Sequence, residues 1–162
     1  MTTPLGRTDL QAYIDTHHLN ATILPMEVHT ATVADAAAAL DVDPSRIIKS
    51  LVFMAGDQPF LVVNNGMARV DRKELAAYLG INRKRVKFAT AGQALETTGY
   101  VVGSMPPFGH RQSLRTLVDT AAARLDVAYG GGGDVDAMMR LSMRELLEVT
   151  LAEVADLSET AK

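Results

Sequence analysis

The chain has no cysteine and no tryptophan among its 162 residues, and aromatic residues make up only 5% of it. Without cysteine there is no disulfide framework and no thiolate nucleophile, and zinc loses its commonest structural ligands. An excess of positive charge is missing too. The formal net charge of −3 argues against a protein that grips nucleic acid by bulk electrostatics and leaves only local basic patches to consider. No run approaches the ~18 apolar residues of a membrane helix, and the start, MTTPLGRTDLQ, has no apolar segment resembling a signal peptide. A soluble cytoplasmic protein with no membrane partner is the expectation.

Several signatures of chemistry are also absent. No G-x-S-x-G elbow supports a serine hydrolase. The glycine run at 130–133 is followed by no lysine in the Walker spacing and lacks the third glycine of a dinucleotide fingerprint. It reads first as a flexible strand connection, second as the backbone wall of a pocket. His17, His18, His29 and His110 form no spaced metal motif, so no metal is expected. His29 and His110 are the better placed of the four for a polar cleft wall, although exposed loop histidines are commoner. Asp134 and Asp136 read as solvated turn aspartates. The cluster Arg83, Lys84, Arg85 and Lys87 could touch phosphates, but it has no aromatic interleaving, and a solvated surface is the commoner reading.

What remains is an ordinary globular balance, 48% hydrophobic and 22% charged, enough for one domain over residues 1–162 with its core at about 21–150. Helices are expected from Arg7 to His18, after Thr32 in the alanine-rich segment up to Asp43-Pro44, over DRKELAAYLG, from Ala91 to Thr97, and in SMRELLEVT behind a Ser142–Glu145 capping box. IIKSLVFMAGDQPFLVVNNG is a hairpin around Gly56-Asp57. Further extended segments fall at 21–28, 86–88, 100–102, 114–118, 127–129, 137–141 and near Val154. Strands and helices mix without strict alternation. The expected class is therefore α+β, a mixed β-sheet core surrounded by helices.

Lys49 is the odd residue in an apolar strand. Alternation places it with Ile47, Leu51 and Phe53 on one face, while Ile48, Ser50, Val52 and Met54 take the other. Both faces are mostly apolar, which makes the strand central. Its lysine either snorkels to a wet strand end, the commoner case, or serves as a cation in a cleft. The stretch GYVVGSMPPFGH, at 99–110, holds more special residues than a turn needs. Glycine permits close approach and proline stiffens the loop, so it is either an ordinary connection or a holder of exposed backbone N–H groups.

These pieces occur in an order that resembles the YbaK/EbsC family, freestanding relatives of the editing domain inserted in bacterial prolyl-tRNA synthetases. Thr32-Val33 leads the alanine helix. IIKSLVF, DRKELAAYLG, GYVVGSMPPFGH and YGGGGDVDAMMRLSMREL follow. The resemblance runs from about Ala21 to the end of the SMRELL helix. It implies hydrolysis of mischarged aminoacyl-tRNA by a trans-acting protein that borrows tRNA recognition from a small surface or from a synthetase partner, with no cofactor. Lys49 matches the family's functional lysine and Ser50 the hydroxyl position after it. Gly103 to Pro107 match the G-x-x-x-P loop that presents N–H groups to the 3′-terminal aminoacyl adenosine. Ser104, Met105 and His110 are this loop's individual features. With His29, Gly131 and Gly132 they complete the expected substrate wall. A non-catalytic module that holds an acceptor end or a protein partner is the alternative, and a Schiff-base lysine at position 49 ranks last.

Overall fold

The computed structural model describes residues 3–27 and 32–159. Its first half runs α1 (Arg7–Thr16), β1 (Thr22–Pro25), α2 (Val33–Leu40), β2 (Ile48–Ala55), β3 (Gln58–Asn65), α3 (Arg72–Leu79), β4 (Val86–Phe88) and α4 (Ala91–Thr98). The second half adds β5 (Arg115–Asp119), α5 (Thr120–Ala123), β6 (Val127–Gly131), β7 (Ala137–Ser142), α6 (Met143–Thr150) and β8 (Glu153–Ala155).

The hairpin organises the rest. Its two-residue turn pairs Ala55 with Gln58, and from there the register is fixed back to Ile48 opposite Asn65. Leu61, Val62 and Val63 are all fully buried, because β3 is covered on both faces. The five-stranded sheet has the order β4-β2-β3-β5-β8. β2 is antiparallel to both neighbours, whereas β3–β5 and β5–β8 are parallel, so the sheet is mixed as expected. One face packs on Leu10, Tyr100, Met139, Met143 and Leu146, and the other on Leu75, Ala76 and Leu157. Beside it stands a second, antiparallel sheet of three strands, β1-β7-β6, joined to the first through the Ile47–Tyr129 bridge. Pro25 sits on its edge strand β1, where a missing N–H costs little.

The helix boundaries follow their caps. Thr32 Oγ1 accepts from Asp35 N, Asp71 Oδ1 from Lys73 N, and Thr90 and Gln93 close a reciprocal box. Several details differ from the sequence reading. α2 stops at Asp41 in the left-handed region, two residues before Asp43. Ser142 caps α6, but Glu145 turns its carboxylate to Asn20 N, so only half of the expected box is made. Residues 100–102 are loop, because Gly99 ends α4 in a left-handed conformation and Gly103 turns the chain again four residues later. The short helix α5 was not anticipated; the buried Asp119 caps it and also accepts from Leu157 N. Asp134 and Asp136 are not free turn residues. Both pair with Arg7, which ties the start of α1 to the turn between β6 and β7. Among the described residues, no helix is long and apolar enough to cross a membrane.

Candidate active site

β4 pairs with β2 only from Phe53 to Ala55. Between that pairing and the Ile47–Tyr129 bridge to β6, the edge of β2 around Ser50 has no paired strand, and a cavity of about 340 Å³ lies against it. Lys49 and Ser50 supply that wall, Gly103 and Met105 the wall opposite, with Gly131 and Met138 from the smaller sheet and Thr32 to Ala36 from α2 closing an end. Phe88 and Val102, 55% and 64% exposed, also line it and form its lip.

Lys49 is half-buried, and its ammonium donates to the Ala68 carbonyl at 2.9 Å. Asn64, the fully buried residue directly across the strand pair, donates to the same oxygen at 3.2 Å. Burial pushes the lysine pKa below its ordinary value, and the positive charge of Arg69 pushes in the same direction. An ammonium has three donors, and one is used here.

The loop at 99–110 is closed upon itself. Arg111 N bonds Thr98 O, the Tyr100 hydroxyl donates to Gly109 O, and Ser104 bonds Val101 O through both its amide and its hydroxyl. Gly133 N then donates to Ser104 O at 3.0 Å, fastening the loop to the glycine run. Gly103 has φ +97°, and a Cβ added there would meet nothing within 4 Å. Glycine is needed at this position for its conformation alone. Among the described residues, the Gly103 amide has no partner.

The structure thus brings Lys49, Ser50, Gly103, Met105 and Gly131 to one cavity. It does not bring Ser104, Pro107, His110 or Gly132 to its wall. Ser104 is fully buried because its hydroxyl is spent inside the loop. Pro107 is buried as well. A Cβ on Gly132 would lie 2.7 Å from the Ala137 backbone, so that glycine serves the close approach to β7. Gly130 and Gly131 are strand residues of β6, not a flexible connection. His29 lies outside the described residues. Asn64, Ala68, Phe88 and Val102 went unnoticed in the sequence, although the hairpin register already sets Asn64 opposite Lys49. Among the described residues, no group of three or more His, Asp or Glu is placed to hold a metal ion.

A family model described as the aminoacyl-tRNA editing domain matches residues 27–149. The chain belongs to this family. It is 30% identical over 133 residues to the uncharacterized protein YwhH of Bacillus subtilis strain 168, covering 82% of this chain and 83% of that one. It is 32% identical over 104 residues to the proline–tRNA ligase of Levilactobacillus brevis, covering 64% of this chain but only 18% of the ligase. A solved structure described as a candidate trans-editing enzyme for prolyl tRNA synthetase superposes with TM-score 0.86 and 29% identity, over 95% of this chain and 97% of that one.

In this editing domain His110 acts on the loop and not on the cavity. Its Nε2 lies 2.8 Å from the Pro106 carbonyl, and since a carbonyl only accepts, the ring carries its proton on Nε2. Burial pushes its pKa down from 6.5 to about 4, against a smaller upward pull from the Pro106 bond. Between those two values the unfolded chain binds a proton that the folded chain refuses, so stability is lost as pH falls through this window. Acid unfolding should therefore show a loss on the order of 3 kcal/mol from pH 6.5 to 4. His110→Gln should flatten the profile, and an unchanged slope would assign the acid sensitivity elsewhere.

Gly103→Ala tests the loop's conformation separately from its space. We expect a loss of about 1–2 kcal/mol in urea unfolding from backbone strain, because no contact blocks the added methyl.

Proposed function

We propose that the chain is a trans-acting aminoacyl-tRNA deacylase that hydrolyses the ester of mischarged tRNA. One observation carries the reading: a lysine whose ammonium has donors to spare and a glycine whose amide is unpartnered line the same cavity, and few side-chain charges accompany them. An aminoacyl ester is already activated, so a site needs to place a water and stabilise the developing oxyanion more than to supply a strong nucleophile. Water adds to the acyl carbon, the Gly103 amide holds the oxygen that gains charge, and the bond to the ribose oxygen breaks. A neighbouring ribose hydroxyl relays the proton from the water to that leaving oxygen. Lys49 anchors the terminal phosphate or another polar group of the substrate.

The cavity's walls favour a small acyl side chain. Ala36, Ala89 and Ala94 line it, and Met105 and Met138 narrow it. The charge layout suits an RNA partner even in an acidic chain. Residues 69–88 hold seven Lys or Arg against two Asp or Glu, and this stretch ends at Phe88 on the cavity lip. The resemblance to a domain inside proline–tRNA ligases suggests a synthetase of that kind as the source of the mischarged tRNA.

A panel of tRNAs carrying alanine, cysteine, serine and threonine tests the reading. Release of the amino acid from at least one, abolished in Lys49→Ala, is the expected result. Saturable binding of a non-hydrolysable aminoacyl-adenosine analogue without any turnover would instead make the protein a binding module.

A further inference from the structure

The open edge of β2 carries an inference about what the cavity requires of its substrate; it rests on the deacylase reading. Backbone groups alternate along a strand, and three bonds fix the phase here. Gly66 N donates to Ile47 O at 2.7 Å on the β3 side. On the other side Ala89 N donates to Val52 O at 3.0 Å, and Gly56 N to Arg85 O at 3.1 Å. Odd-numbered positions of β2 therefore turn their N–H and C=O toward β3, and even-numbered ones turn them away. Ser50 lies beyond the reach of β4, whose pairing begins at Phe53. Its N–H and its C=O both point away from β3, toward the edge where Ser50 lines the cavity and no paired strand is registered opposite it.

A donor and an acceptor on one residue of a free strand edge match one residue of another extended chain. We propose that the aminoacyl group docks on Ser50 as a one-residue strand. Its α-amino group donates to the Ser50 carbonyl, and its acyl oxygen accepts from the Ser50 amide beside the Gly103 amide. The composition of the wall supports this assignment. Among the described residues no Asp or Glu lines the cavity, so no carboxylate is there to bind an amine, and the Lys49 side chain offers only donors. The Ser50 carbonyl is a main-chain acceptor on this edge, and a substrate with no α-nitrogen cannot pair with it. The editing reaction thereby favours esters that carry an α-N–H, whatever their side chain.

The ester that is hydrolysed best in the tRNA panel is remade without its α-amine. Each enzymatic kcat/KM is divided by that ester's spontaneous hydrolysis rate, because the amine itself activates an ester. A loss of at least tenfold for the desamino form is expected. The loss should persist in Ser50→Ala, since the main chain and not the hydroxyl makes the contact. The amide resonance of Ser50 should also move when the non-hydrolysable amide analogue of that ester is added, and move less with its desamino derivative. Equal normalised rates for the two esters would overturn the inference and leave the deacylase reading standing. Discrimination that vanishes in Ser50→Ala would overturn it in favour of the hydroxyl. Hydrolysis of no ester in the panel would overturn the deacylase reading and this inference with it.

Discussion

Gly131→Ala is expected to lower kcat/KM for deacylation by at least 100-fold, about 2.7 kcal/mol of transition-state stabilisation, and to destabilise the fold as well. A Cβ at this position would stand 2.1 Å from the Met105 carbonyl oxygen, 2.6 Å from its carbon and 3.0 Å from the Ser104 oxygen. All of these are backbone atoms, so no side chain can rotate out of the way. The loop cannot simply lift either, because Gly133 N holds Ser104 O. Either β6 or the segment carrying Gly103 must move, and a displacement near 1 Å of a positioning group is enough for losses of this order. Overpacking of this kind costs about 1–3 kcal/mol, which for a chain of this size lowers the melting temperature by roughly 3–10 °C. Gly92→Ala is the matched control. Its Cβ would meet only Thr90 Oγ1, at 3.9 Å, and it sits inside α4, where alanine is preferred. It should melt slightly higher and keep full activity. A Gly131→Ala protein within threefold of the parent in rate would mean that the loop's seat on β6 does not set its catalytic geometry.

Lys49→Ala is expected to lose activity by a similar factor with almost no change in stability. The lysine's one bond is to Ala68 O, and that oxygen keeps Asn64 as a donor when the ammonium is gone. The structural cost is that of one half-buried, shared hydrogen bond, below about 1 kcal/mol. A purely structural lysine would show the opposite pattern, a lower melting temperature with the rate retained. Lys49→Met keeps the apolar stem and removes only the charge, so it should match alanine in rate and the parent in stability. Borohydride treatment with carbonyl compounds should leave no adduct at Lys49. An adduct there would revive the Schiff-base role.

The two effects have different origins, and so did their visibility. Lys49 stands out in the sequence because a charge interrupts an apolar strand, and Gly103 because a loop holds more glycine and proline than a turn requires. The hairpin was legible for the same kind of reason: a two-residue turn fixes the register, and with it the pairing of Lys49 and Asn64. The caps at Thr32 and Asp71 are local bonds spanning two or three residues, and they fell where the residue types put them. Local signals misled where a distant partner took the group. Glu145 has the chemistry of a capping-box acid but reaches Asn20, and Asp134 and Asp136 look solvated in sequence but meet Arg7 from the other end of the chain.

The residues by themselves determined the class of fold and most of the elements, and they singled out the lysine and the loop that line one cavity. Periodicity, capping and turn chemistry act over a few residues and are written in order along the chain. Only the tertiary structure decided which loop residues reach the cavity. Ser104 and His110 look like wall residues in sequence, and they became internal fasteners because the loop closes on itself. The glycine run looked like slack, and at Gly131 it proved to be where the Met105 backbone rests. The open edge of β2 was equally hidden, since it exists only because β4 pairs with three residues and stops. Close approach of two backbones is a property of neither segment alone.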